Sequence, residues 1–305
     1  MKSIGKIKKL TLICIVILLL VSCSSSRRDG AFSQSHEPLL AVTPNIDHYA
    51  SMAIVPHLTD KRGQDTLAQL LLVSETLINL QDGVSVNKIN PGRFMVYNVL
   101  SKVGLGMLST IGLSPVQKQI LRRWHKKYMY ADPADVFFAP SADEIIGTRA
   151  AFGCTHYARA FIATVKALGL ISRPEDVRYV ISSRADDYNR SLKNRDFDAT
   201  INGHQFVIVR IESEWIAINT STARSTPLPA GFEPDAVAPP HNIPIRFPTR
   251  PHIVYVLRRT GTDWDDGCED RSLSALMNIS RSGNPDNSAF RWEAFAFKKG
   301  DVCPE

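Results

Sequence analysis

Phe152-Gly153-Cys154-Thr155-His156-Tyr157-Ala158-Arg159-Ala160-Phe161 is the stretch on which the reading of this chain turns. From Cys154 onward the apolar positions Tyr157, Ala158, Phe161, Val165 and Leu168 recur at helical spacing, and Gly169 closes the run. The spacing therefore predicts a helix with a cysteine at its head. There the unpaired N–H groups and the helix dipole favour a thiolate, which is the setting a cysteine nucleophile needs. Taken alone, such a cysteine is more often a buried structural residue.

The second half of the pattern lies fifty residues on. In Gly203-His204-Gln205-Phe206 and the residues to Glu212, Val207, Val209 and Ile211 alternate with Ile208, Arg210 and Glu212, which predicts a strand. A short turn at Ser213-Glu214 and a return strand from Trp215 to Asn219 would complete a hairpin. His204 opens the first strand and Asn219 closes the second, so the hairpin brings both to one end. An amide there can hold one imidazole nitrogen and leave the other facing a thiol. Cysteine on a helix, then histidine and asparagine on paired strands, is the order of a papain-type thiol site. His156 falls off the face of Cys154 and is read as structural.

These residues carry a resemblance. The block Gly153-Cys154, Tyr157-Ala158, Phe161 and Ala167-Leu168-Gly169-Leu170 resembles the cysteine helix of the transglutaminase-like superfamily, and His204-Gln205-Phe206, Trp215 and Asn219 resemble its histidine and acidic strands. It runs from about Arg149 to Thr222. The family usually has Asp at the position of Asn219 and Trp at that of Phe206. The resemblance implies an α+β fold with a transglutaminase-like or papain-like core: a cysteine helix packed on a mostly antiparallel sheet, with an added N-terminal helical region. Cys154, His204 and Asn219 would be the catalytic residues.

The N-terminus points to a destination. Lys2, Lys6, Lys8 and Lys9 precede an apolar run from Leu10 to Val21, too short for an ordinary membrane span and suited to a signal segment. Leu20-Val21-Ser22-Cys23 resembles the lipobox of bacterial lipoproteins, which implies cleavage before Cys23 and acylation of that residue. Ser24 resembles outer-membrane sorting. The expected location is the bacterial cell envelope, lipid-anchored and facing the periplasm. The whole chain carries +6, but four lysines and no acids precede Cys23, which leaves +2 and gives no warrant for nucleic-acid binding. Beyond the signal the cysteines are Cys23, Cys154, Cys268 and Cys303. With the first two assigned, Cys268 and Cys303 are left as a candidate disulfide in an oxidising compartment. No CxxC or Cys/His cluster has metal spacing, so neither a metal nor a cofactor is implied.

The remaining organisation follows from punctuation and period. Residues 1–22 read as signal, 23–51 as a tether, 52–145 as a helical region and 146–305 as the transglutaminase-like domain with a C-terminal extension. Helices are expected from Asp65 to Gln81, from Pro91 to Ile111 as a buried segment, and after Ser114-Pro115. That last helix turns Ile120, Leu121, Trp124 and Tyr128 inward and a basic set outward. A basic face of this kind is more often merely solvated than a contact for anionic lipid or cell-wall polymer. Val177 to Ile181 reads as a strand, Ser182 to Asn202 as a surface loop, and Thr220 to Pro251 as an extended wrap. Further out, Ile253 to Leu257 reads as a strand, Leu273 to Ile279 as a helix and Phe290 to Phe297 as a strand. Two functional classes remain. One is a thiol enzyme acting on amides of peptides, proteins or peptidoglycan stems; the other is a weak or inactive relative serving as a binding or scaffold module.

Overall fold

The computed structural model describes residues 39–59, 65–78, 85–128, 140–196, 201–234 and 243–261, all within one compact unit, His36–Glu305. Cys23, Cys268 and Cys303 lie outside the described residues, as do the expected helix at 273–279 and strand at 290–297.

The centre is a six-stranded antiparallel sheet in the order β6-β5-β4-β3-β8-β7. Its strands are β3 (Val177–Arg184), β4 (Gly203–Ile211), β5 (Glu214–Asn219), β6 (Arg224–Pro227), β7 (Pro244–Ile245) and β8 (Tyr255–Gly261). Alternation along β4 sends Val207 and Val209 to one face and Phe206 and Ile208 to the other, and every one of these side chains is buried. Sequence-adjacent β4 and β5 form a tight hairpin, Ile211 opposite Glu214, with Glu212 in the left-handed region at φ 57°.

Helices cover the first face. They are α1 (Pro44–Tyr49), continued through a π-helical turn Ala50–Ile54 into α2 (Val55–Thr59), then α3 (Thr66–Ile78), α6 (Ala142–Thr148) and α7 (Cys154–Ala167). Ile46, Leu70, Val73, Ile145 and Phe161 meet Val177, Tyr179, Val207, Val209 and Ile218 in one continuous core. The opposite face packs Val180, Phe206, Ile208 and Ala217 against Phe232, Ile245 and Phe247. The described parts of the segment read as an extended wrap thus cover this second face, contributing β6 and β7 at the two sheet edges.

A third cluster joins α4 (Pro91–Lys102) and α5 (Pro115–Tyr128) to the chain entering α7. The parallel pair β1 (Asn87–Lys88) and β2 (Ala150–Ala151) ties them together. Trp124 stands edge-on to Phe152, with ring centroids 4.6 Å apart, and the segment read as the helix after Ser114-Pro115 buries the four residues expected. Two readings are corrected. Pro91 to Ile111 is not one buried helix: α4 ends at Lys102, Gly104 turns the chain at φ 75°, and a 3-10 turn Gly106–Thr110 follows with Val99, Val103 and Leu108 exposed. Ser182 to Asn202 is not a simple surface loop. β3 continues to Arg184 and α8 (Ala185–Asn194) follows, docked through buried Ala185 and Tyr188. Asp187 is also held inside, by Arg190 and Asn202.

Candidate active site

Cys154 is the first residue of α7. Gly153 precedes it in extended conformation and supplies no side-chain cap, so the first-turn N–H groups remain available. One of them, from Thr155, lies near enough to the Cys154 sulfur to favour its ionised form. The sheet supplies a second. β5 pairs with β4 only as far as Val207 opposite Ile218, and just beyond that point the Gln205 backbone N–H also favours the ionised sulfur. The thiol therefore lies where the hairpin strands part, against the helix N-terminus, and Cys154 retains partial exposure.

His204 and Asn219 come to the same place. His204 Nε2 lies 3.0 Å from Asn219 Oδ1, and the imidazole stands near enough to the Cys154 thiol for each to shift the other's titration. The tautomer follows from the neighbours. The Ser221 backbone N–H, which can only donate, lies 3.1 Å from the same Asn219 oxygen. That contact identifies the atom as an acceptor, so His204 Nε2 carries a proton and Nδ1 is the nitrogen left for the thiol. Asn219 is buried, and Ser182 Oγ donates to the His204 carbonyl at 2.7 Å, so both partners are fixed. By strand alternation His204 shares the face of Phe206, away from the α7 core. It reaches the thiol only because it sits at the strand end.

The rings of Tyr255, Phe206 and Phe247 surround His204 at centroid distances of 5.1, 6.1 and 6.4 Å. Trp215, four residues from Asn219, packs instead against Phe232 and under Arg210. Water is limited at the imidazole by Tyr255 and Phe247, which sequence reasoning did not place because they come from a later strand and the covering segment.

The electrostatics follow from these contacts. Burial pushes the Cys154 thiol up, but the His204 hydrogen bond and charge and the two backbone N–H groups outweigh it. The thiol is brought from 9.0 down to about 7. Burial pulls His204 down, yet the sulfur and Asn219 prevail, and the imidazole ends above its ordinary value. The two groups favour each other's charged forms, as a thiolate–imidazolium pair requires.

Gln205 is a further site residue. Its Oε1 lies 2.9 Å from the Cys154 sulfur and 3.4 Å from Thr155 Oγ1. Oxygen so near sulfur fits the neutral thiol, which donates to it. Against a thiolate the same contact is repulsive, and rotating the amide presents Nε2–H instead. The contact with Gln205 and the contact with His204 thus belong to different protonation states, and we take the His204 pairing as the state of the ionised sulfur. Strand alternation puts Gln205 on the face opposite His204, so nothing in the sequence marks it. His156, by contrast, is buried, accepts from the Phe152 N–H at 3.1 Å through Nδ1 and packs on Trp124, a structural role.

Among the described residues no group of three or more His, Cys, Asp or Glu side chains could hold a metal ion, and no helix is long and apolar enough to cross a membrane. Compared with known proteins, the chain matches no family model, no curated protein and no solved structure.

Proposed function

We propose that this chain is a transglutaminase-like, papain-type thiol enzyme of the bacterial cell envelope, anchored through Cys23, that cleaves or transfers amide bonds. The observation that carries the reading is the His204–Asn219 hydrogen bond beside a cysteine that begins a helix, with the thiol drawn down to about 7 chiefly by that histidine against burial.

In this reading His204 Nδ1 takes the thiol proton, and the sulfur attacks the amide carbonyl. The N–H groups near the sulfur can donate to the carbonyl oxygen as negative charge moves onto it. Collapse of the tetrahedral intermediate breaks the C–N bond, His204 returns the proton to the leaving amine, and a thioester remains on Cys154. Water then gives an acid, and a second amine gives a new amide. Asn219 holds the imidazole throughout without contributing charge.

Peptides, proteins or peptidoglycan stems are the substrates the expected location makes available. Purified sacculi and casein, incubated separately with the protein, distinguish wall-directed from protein-directed activity through the release of new amino groups. Loss of release in Cys154→Ala supports the assignment. Release undiminished in that variant refutes it. The uncharged Asn219 favours a second reading, a scaffold that keeps the fold with little catalysis; no release from either substrate and an unreactive thiol would establish that one.

A further inference from the structure

The corner between α4 and α5 combines two features that the site does not use. Between Pro91 and Tyr128 the chain carries seven Lys and Arg residues and no Asp or Glu. At the apex of the same segment Val103, Leu105, Met107, Leu108 and Ile111 are exposed at 67, 50, 58, 57 and 71 %. Isolated exposed apolar side chains are ordinary, but five within nine residues form a patch of the kind that marks a contact surface.

The apex is built. Gly104 turns the chain in the left-handed region, and Gly106 lies so close to Ser101 that a Cβ there would fall 2.0 Å from the Ser101 hydroxyl. Ser109 Oγ donates to the Gly106 carbonyl and Thr110 Oγ1 to that of Met107, each at 2.8 Å. These bonds hold the 3-10 turn with its apolar side chains outward. The cations stand directly beside it: Arg93 Nη1 donates to the Ile111 carbonyl at 3.4 Å, and Arg122 approaches the Met107 sulfur at 3.6 Å. Lys102, Arg123 and Lys126 are exposed on the same two helices, while Lys127 is drawn away to Glu144.

We propose that this corner docks on an anionic lipid surface, with the apolar apex entering the headgroup layer and the flanking cations meeting lipid phosphates. Charge complementarity selects the occupant. An acidic polymer would satisfy the cations but leave the five apolar side chains in water, and a neutral apolar partner would use those and offer the cations no counter-charge. An anionic bilayer interface matches both at once. The inference rests on neither the triad nor acylation of Cys23. It gives the chain a membrane contact of its own, packed through Trp124 and Phe152 against the segment that leads into Cys154.

The test is amide hydrogen exchange, read by mass spectrometry, on the full chain incorporated into phosphatidylcholine vesicles or into phosphatidylcholine–phosphatidylglycerol vesicles. Exchange across 103–112 should be slower by about tenfold or more in the anionic vesicles. The triple variant Leu105→Ser, Leu108→Ser, Ile111→Ser should lose that slowing. In Arg123→Gln or Lys126→Gln the docking equilibrium constant, taken from the protection ratio, should fall about fivefold each, the ratio corresponding to roughly 1 kcal/mol per surface cation. All these positions are exposed, so the fold is retained. Equal exchange in the two vesicles overturns the proposal. So does protection that depends on protein concentration and not on lipid, which would assign the corner to a second copy of the chain.

Discussion

Replacing His204 by Ala tests the electrostatics of the site through one number, the acidity of Cys154. In the intact site the thiol stands at about 7 against an ordinary 9.0, which corresponds to about 3 kcal/mol in favour of the thiolate at about 1.4 kcal/mol per unit. Burial works the other way, so the thiol freed of His204 should rise to 9.0 or above, with only the Gln205 and Thr155 N–H groups left to oppose burial. At neutral pH the thiolate fraction then drops from about one half to about one hundredth or less. A thiolate of higher pKa is intrinsically the better nucleophile, by roughly six- to tenfold over two units, which offsets part of the loss. The net expectation is alkylation of the Cys154-containing peptide by iodoacetamide about fivefold to tenfold slower at neutral pH. Above pH 9 the order should reverse, with the variant as fast as the wild type or faster. Rates are read by mass spectrometry at that peptide across the pH range. A wild-type profile with its midpoint near 9, or one that His204→Ala leaves unmoved, refutes the reasoning.

The reciprocal titration should show the other partner: in Cys154→Ser the His204 imidazole loses its largest raising influence and keeps only Asn219, so its NMR midpoint should fall. Asn219→Asp places a carboxylate on the Nε2–H and should raise His204 further and move the Cys154 alkylation midpoint below its wild-type value; a rise of that midpoint would contradict the assigned tautomer. Asn219→Ala should weaken amide turnover without abolishing it, measured as kcat on whichever substrate the wild type accepts. Trp124→Ala empties a fully packed position between α5 and the approach to Cys154, and should cost about 3–5 kcal/mol in denaturant unfolding.

The parts of the fold with a strong period were legible. The cysteine helix, the β4–β5 hairpin and the α5 face each announce themselves by apolar spacing, and they bring Cys154, His204 and Asn219 to one place. What escaped had no local signal. In α8 the buried Ala185 and Tyr188 and the buried Asp187 network sit among polar residues with no helical apolar period to mark them. Tyr255 and Phe247 reach His204 through tertiary packing across the sheet. Gln205 acts because β5 leaves β4 at Val207, a matter of register that composition does not record. The exposed apex at Val103 to Ile111 was read as core because apolar residues usually are core, and only Gly104 hinted at a turn.

The central claim is that Cys154 carries the acyl group. The direct measurement is rapid acid quench of the protein during incubation with casein or with soluble fragments of sacculi, followed by peptide mass analysis. The account predicts an adduct on Cys154 that hydroxylamine removes, as a thioester requires, and that is absent in Cys154→Ala together with amide turnover. Turnover that persists in Cys154→Ala, or an adduct carried by another residue, would contradict it.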